Sequence, residues 1–84
     1  MSQNDAASAK NVVLYLVRNL VENSDAADIK VIDADDSVTY EIHVAQSDLG
    51  KVIGRQGRIA NALRAVTKAA AIHEARKVFV EIAA

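Results

Sequence analysis

The chain has 84 residues, which suits one domain, and 51% of them are apolar, so a single hydrophobic core can form. The lack of cysteine excludes disulfides, thiolate nucleophiles and Cys-based metal sites. The net charge of −1 conceals a segment, from Leu49 to His73, with five cations and no acid, so its charge is +5 and that of the remainder is −6.

The start of the chain predicts neither export nor membrane insertion. Residues 1–8 are small and polar, without the basic flank and apolar run of a signal peptide. No apolar stretch reaches the ~18–20 residues that span a bilayer. We therefore expect a cytoplasmic protein with no membrane contact, a flexible N-terminus over residues 1–8 and one domain over residues 9–84.

The first half of the chain predicts one helix and two strands. Apolar residues recur at spacings of three and four over residues 9–23, which predicts a helix. Residues 29–33 predict a strand, and residues 34–37 a hairpin turn. Residues 38–44 then alternate between apolar and polar side chains, as in a strand with one buried face.

The second half predicts two helices, an intervening loop and a last strand. Ser47 is a good N-cap for a short helix over residues 48–53. A longer helix over residues 58–75 has an apolar stripe on one side and a polar arc opposite. The stripe is Ile59, Ala62, Leu63, Val66 and Ala70, and the arc is Arg58, Asn61, Arg64 and Lys68. With a strand over residues 77–82, the order α-β-β-α-α-β indicates a two-layer α+β domain, a three-stranded sheet packed by helices on one face.

The loop Gly54-Arg55-Gln56-Gly57 carries the main functional signal. Glycine accepts backbone angles that other residues avoid, and it lets a ligand approach the main chain closely. The first N–H groups and the positive dipole end of the next helix point toward this loop. The pattern favours phosphate binding, although the spacing alone also fits an ordinary turn between helices.

The segment Val52-Ile-Gly-Arg-Gln-Gly-Arg-Ile59 resembles the (V/I)-I-G-x-x-G-x-x-I signature of KH domains, and the element order resembles their type II arrangement. Over residues 9–83 the chain is similar to the small single-KH proteins of the KhpA family. The resemblance implies a protein that is not an enzyme, uses no cofactor or small-molecule substrate, and holds about four nucleotides of single-stranded RNA by their backbone. It also implies a homodimer, or a heterodimer with a larger KH protein, KhpB (also called Jag). The implied role is RNA-chaperone activity and post-transcriptional regulation of cell growth, division, shape and envelope synthesis.

Carried over to this chain, the resemblance makes Gly54 and Gly57 the clamp on the RNA backbone. Arg55 and Gln56 occupy the variable positions between the two glycines. Ile53 either floors the groove that receives the bases or buttresses the loop. These five residues form the centre of the predicted RNA site.

Further cations extend the predicted RNA site on both sides of the loop. Lys51 and Arg58 flank the clamp and are expected to meet phosphates. Arg64 and Lys68 lie further along the helix and contact either RNA or only solvent. Ile59 is expected to pack this helix on the sheet.

Other chemistries fit the sequence poorly. His43 and His73 are thirty positions apart and have no cysteine or carboxylate cluster beside them, so no metal site is predicted. Neither G-x-x-x-x-G-K-[S/T] nor G-x-G-x-x-G occurs, which disfavours a nucleotide-binding enzyme. An RRM is disfavoured because the chain has only three aromatic residues.

Three apolar residues fall on the wrong side of their elements: Ile32, Ile72 and Phe79. In a domain with a small core they suggest a contact between protomers, and we expect the chain to dimerise through one or more of them. An alternative that the sequence leaves open is a KH fold used for protein contacts, with weak or no RNA binding.

Overall fold

The computed structural model describes residues 5–84, and the side chains from residue 8 onward. The helices are α1 (Asp5–Leu20), α2 (Leu49–Ile53) and α3 (Arg58–Ala70), and the strands are β1 (Asp28–Asp33), β2 (Ser37–His43) and β3 (Lys77–Ala83). Short 3₁₀ turns lie at Ser24–Ala26, Gln46–Asp48 and Arg55–Gly57. The predicted α+β class and element order are confirmed.

The three strands form one sheet in the order β1-β2-β3. β1 and β2 pair antiparallel, as a hairpin requires, whereas β2 and β3 pair parallel. Parallel neighbours need a long crossover connection, which here consists of α2, the loop and α3. This crossover places the glycine loop among the helices that cover one face of the sheet.

The core lies between that face and the helices. Alternate residues of β2, namely Val38, Tyr40 and Ile42, are fully buried, whereas the residues between them are only partly covered. From α1, Val13 and Val17 pack onto this face. Burial is therefore one-sided along the strand, and the opposite face of the sheet is open, as the alternation predicts.

Helix α1 begins and ends earlier than predicted. Residues 5–8, expected to be flexible, belong to the helix, and residues 1–4 lie outside the described part of the chain. The Val21 N–H still donates to the Val17 carbonyl, but the helix does not continue because the following two amides bind a side chain. The N–H groups of Glu22 and Asn23 donate to the carboxylate of Asp48, at 3.2 and 3.0 Å.

Helix α3 is shorter than predicted and rotated about its axis. It ends at Ala70, and of the predicted apolar stripe only Leu63 is buried. Ala60 and Thr67 are buried instead, and the Thr67 hydroxyl donates to the Leu63 carbonyl at 2.7 Å, so its burial leaves no donor unpaired. Ile59, Ala62 and Val66 border α1, because α3 packs against that helix as well as against the sheet.

Arg76 ties the connection between α3 and β3 to the β1–β2 hairpin. Its guanidinium donates to both carboxylate oxygens of Glu74, to Asp33 Oδ1 at 2.9 Å and to the Ala34 carbonyl at 2.9 Å. The hydrogen bonds from Arg76 lower the pKa of Glu74 to about 2. Glu74 therefore stays ionised, and its charge is neutralised within the protein.

Candidate nucleic-acid interface

The loop Gly54–Gly57, hereafter the GxxG loop, is a tight left-handed reversal between α2 and α3. Gly54 has φ 75° and ψ 176°, Gln56 has φ 58° and ψ 25°, and Gly57 has φ 75° and ψ 15°. The Gly54 conformation is essentially restricted to glycine. Gln56 is the one non-glycine residue with positive φ in the described part of the chain, at a cost of about 1–2 kcal/mol.

The space around the two loop glycines differs. A Cβ on Gly54 would lie 2.7 Å from Cγ1 of Ile59, so a side chain there would collide with α3. A Cβ on Gly57 would meet nothing within 4 Å. Gly54 is thus needed for packing, whereas Gly57 leaves open space beside the loop.

Several loop amides already donate within the protein. The N–H of Gly54 donates to the Gly50 carbonyl at 2.9 Å, and that of Gly57 to the Gly54 carbonyl at 3.2 Å. The Arg58 N–H donates to the Arg55 carbonyl. Fewer backbone N–H groups are therefore free to bind an anion than the glycine pattern suggests. Binding of an anion would depend more on the charged side chains near the loop.

The predicted cations are not equally available. Arg55 is exposed and makes no side-chain hydrogen bond or ion pair with any described residue. The Nζ of Lys51 lies 3.4 Å from Asp48 Oδ1 and 3.7 Å from Glu22 Oε1, so its charge is largely compensated. Arg55 is therefore the strongest candidate for a phosphate contact, and Lys51 is a weaker one.

The cations of α3 lie on different sides of that helix. Arg58 borders a groove between α1 and α3, together with Ile59. Arg64 is exposed and donates to Asn61 Oδ1 at 3.2 Å, a neutral partner that leaves its charge uncompensated. Lys68, one turn further, lies beside the start of β3. The predicted polar arc is thus divided, with Arg58 apart from Arg64 and Lys68.

The two isoleucines next to the loop differ in exposure. Ile53, the last residue of α2, is 38% exposed directly before Gly54, where it can contact a ligand held by the loop. Ile59 is half-buried, packs against the core cluster and crowds Gly54. Ile59 therefore shapes the loop as well as packing its helix.

Asp48 joins the start of α2 to the segment that follows α1, and the sequence interpretation missed this role. Its carboxylate is 1% exposed and accepts hydrogen bonds from the Glu22 and Asn23 backbones and from the Asn23 side chain. The backbone N–H of Asn23 is the main reason that the pKa of Asp48 is lowered. The N-cap position of α2 is occupied by Asp48 and not, as predicted, by Ser47, whose hydroxyl accepts from Asn23 Nδ2 at 3.3 Å.

The histidines and acids elsewhere in the described part of the chain do not assemble a metal site. His43 Nε2 lies 3.0 Å from Glu41 Oε1 on the open face of the sheet. Among the described residues, no three His, Cys, Asp or Glu side chains come close enough together to hold a metal ion. Nor does that part of the chain contain a helix with the length and apolarity needed to cross a membrane.

A mixed three-stranded sheet, helices on one face and a GxxG loop between the two crossover helices define a type II KH domain. A family model described as the KH domain of KhpA and KhpB matches residues 10–82. The chain therefore belongs to the KhpA/KhpB KH-domain family, as its sequence motif predicts.

Curated relatives support the same assignment. The RNA-binding protein KhpA of Caldanaerobacter subterraneus is 46% identical over 71 residues, which cover 84% of this chain and 95% of the relative. The RNA-binding protein KhpA of Clostridium perfringens is 44% identical, with 87% and 97% covered, and that of Aquifex aeolicus is 37% identical, with 90% and 96% covered. The prediction that the chain is not an enzyme is confirmed by this membership.

Proposed function

We propose that the chain binds single-stranded RNA by clamping its sugar–phosphate backbone at the GxxG loop. The observation that carries the proposal is the loop itself: a left-handed turn with open space at Gly57 and the unpaired cation Arg55 beside it. Relatives of nearly the same length are named RNA-binding proteins. KH domains use such loops to hold about four nucleotides.

In this proposal the residues of the loop and its two neighbouring helices have different roles in RNA binding. Gly57 lets a phosphate approach the main chain, and Arg55 supplies a full positive charge. The positive end of the α3 dipole adds a smaller contribution. Ile53, exposed at the end of α2, contacts the first base, and Arg64 continues the basic surface along α3.

Replacing Arg55 with alanine tests its role. Because a phosphate contact carries no base information, affinity should fall about three- to tenfold for all RNA sequences alike. The slope of log K against log salt concentration should shrink by about 0.7, the value for one phosphate contact on a single strand. Fluorescence anisotropy over a salt series measures both quantities. Arg18→Ala, at an exposed position on α1, is the matched control, and a change in base preference alone would contradict the assigned role.

We further propose that the protein works in the cytoplasm as a dimer, with itself or with a KhpB/Jag-like KH protein. The family-level resemblance supports a role in post-transcriptional regulation of growth, division and envelope synthesis.

A specific feature favours protein contacts: an apolar groove of about 370 Å³ between α1 and α3. It is lined by Leu16, Asn19, Leu20, Arg58, Ile59, Ala62, Leu63 and Val66, so one charged residue borders it. A second copy of the chain could cover this groove at a small desolvation cost, because among the described residues Arg58 is the one charged side chain there that would lose contact with water.

A carboxylate placed in the groove should oppose this association. Ala62 is exposed and lines the groove, so Ala62→Asp adds a charge there without removing core packing. We expect its dimer dissociation constant to rise at least about tenfold in sedimentation equilibrium. Ile32, Ile72 and Phe79 are exposed, as predicted, but none of them lines this groove. Ile72→Asp is therefore the matched variant, and disruption by it alone would move the interface to that surface.

A further inference from the structure

A second cavity lies at the start of β3, on the side of α3 away from α1. It has a volume of about 480 Å³, within the range of roughly 300–1,000 Å³ that is usual for ligand sites. This cavity, here called the edge cavity, is lined by Lys68, Ala71, Ile72, Glu74, Lys77, Val78 and Phe79. These residues come from the end of α3, the following turn and the first residues of β3.

The edge cavity is positively charged. Glu74 is its one acid, and that carboxylate is bound by the guanidinium of Arg76 at 2.8 Å. Lys68 and Lys77 form no ion pair with any described residue, and both are exposed. Two uncompensated cations thus face a cavity whose single carboxylate is already neutralised, which favours an anionic ligand.

The edge cavity also has an exposed aromatic wall. Phe79 is 49% exposed and Ile72 is 74% exposed, large fractions for apolar side chains. An aromatic ring between cations is typical of surfaces that bind single-stranded nucleic acid, because bases stack on the ring and phosphates pair with the cations. A purely apolar partner would leave the charges of Lys68 and Lys77 desolvated and unpaired.

The edge cavity lies along the helix that starts at the GxxG loop. Lys68 lies eleven positions after Gly57, so at about 1.5 Å per helical residue the two ends of this path are about 16 Å apart. Arg64, one turn before Lys68, is exposed between them. A strand held at the loop would therefore follow cations along α3 to the cavity.

We propose that the edge cavity is a second RNA subsite, in which a base stacks on Phe79 and the adjoining phosphates pair with Lys68 and Lys77. The subsite rests on the proposed function, because it binds a later part of the strand whose backbone the GxxG loop holds. It lengthens the RNA footprint beyond the four nucleotides of the clamp and raises affinity for longer strands.

Two RNA lengths and two substitutions of Phe79 test the subsite. Phe79→Leu keeps apolar bulk but removes the aromatic face, whereas Phe79→Tyr keeps both. For an RNA of about ten nucleotides, Phe79→Leu should lower affinity about tenfold and Phe79→Tyr should not. For an RNA of about four nucleotides, neither should change affinity. Lys77→Ala should reduce the salt slope by about 0.7 with the longer RNA alone.

Ile32→Ala and Lys30→Ala are the controls, since both alter the open face of β1, and Ile32 lies in the same cross-strand row as Phe79. Equal affinity for the two RNA lengths, or an effect of Phe79→Leu on both, would overturn the subsite while leaving the clamp intact. Loss of a dimer in Phe79→Leu, by sedimentation, would also overturn it in favour of a protein contact. Binding of neither RNA by the wild type would instead refute the proposed function.

Discussion

Gly57→Asp should reduce RNA affinity at least about thirtyfold with little change in thermal stability. The substitution places a carboxylate where the phosphate is expected, and repulsion between like charges at such a contact is severe. The fold should tolerate it, because a Cβ at Gly57 meets no atom within 4 Å and aspartate is among the residues that accept left-handed angles. RNA titration and thermal unfolding of the same sample check both expectations.

The other two glycines supply controls of opposite kinds. Gly50 lies in α2 with open space around it and ordinary backbone angles, so Gly50→Asp adds the same charge outside the clamp. Gly54→Asp should lower both affinity and melting temperature, because its side chain would collide with Ile59. If Gly50→Asp weakened RNA binding as much as Gly57→Asp, the loss would reflect net charge and not the clamp.

Asp48→Asn should have the largest effect on stability. The amide keeps one acceptor oxygen but places an NH₂ group against backbone N–H donors of Glu22 or Asn23, which then lose their partner in a buried site. We expect the melting temperature to fall by ~10 °C or more. Asp35→Asn, in the exposed hairpin turn, is the control and should leave it unchanged.

The same variant gives a pH test. The pKa of Asp48 is lowered in the folded protein, mainly by the Asn23 N–H, so its contribution to stability is present above the unfolded pKa of about 3.9. That contribution is lost as the pH falls through the lower pKa of the folded state. Melting temperatures measured between about pH 7 and pH 3 should therefore converge for the wild type and Asp48→Asn at the acid end. Parallel curves would show that the charge of Asp48 is not what stabilises the contact.

The element order and the reversal at the GxxG loop could be predicted because their signals are local. Alternation over residues 38–44 and two glycines three positions apart each describe the conformation of adjacent residues. The charge asymmetry also predicts a basic surface around the loop and α3, of which Arg55 and Arg64 are exposed. The availability of single cations could not be predicted in this way. Lys51 is compensated by Asp48, which lies just before the acid-free segment, and by Glu22, which is distant in sequence and is brought close only by the fold.

The hydrogen bonds of the loop N–H groups also could not be predicted from the sequence. Glycines at positions 54 and 57 predict a reversal with exposed N–H groups, and the reversal is present. Its own carbonyls, however, accept two of the predicted donors, at Gly57 and Arg58. In the proposed clamp, fewer backbone N–H groups are therefore free to bind a phosphate, and the charge of Arg55 contributes a larger share of the attraction.

By itself, the sequence determined which segments are helix and strand, where the chain reverses between helices, and the family to which it belongs. The tertiary structure decided which face of α3 is buried, where α1 ends, and that Lys68, Lys77 and Phe79 meet in one cavity. The physical reason is that periodicity and glycine content act through neighbouring residues. Packing and hydrogen bonds such as those of Asp48 join residues that are more than twenty positions apart.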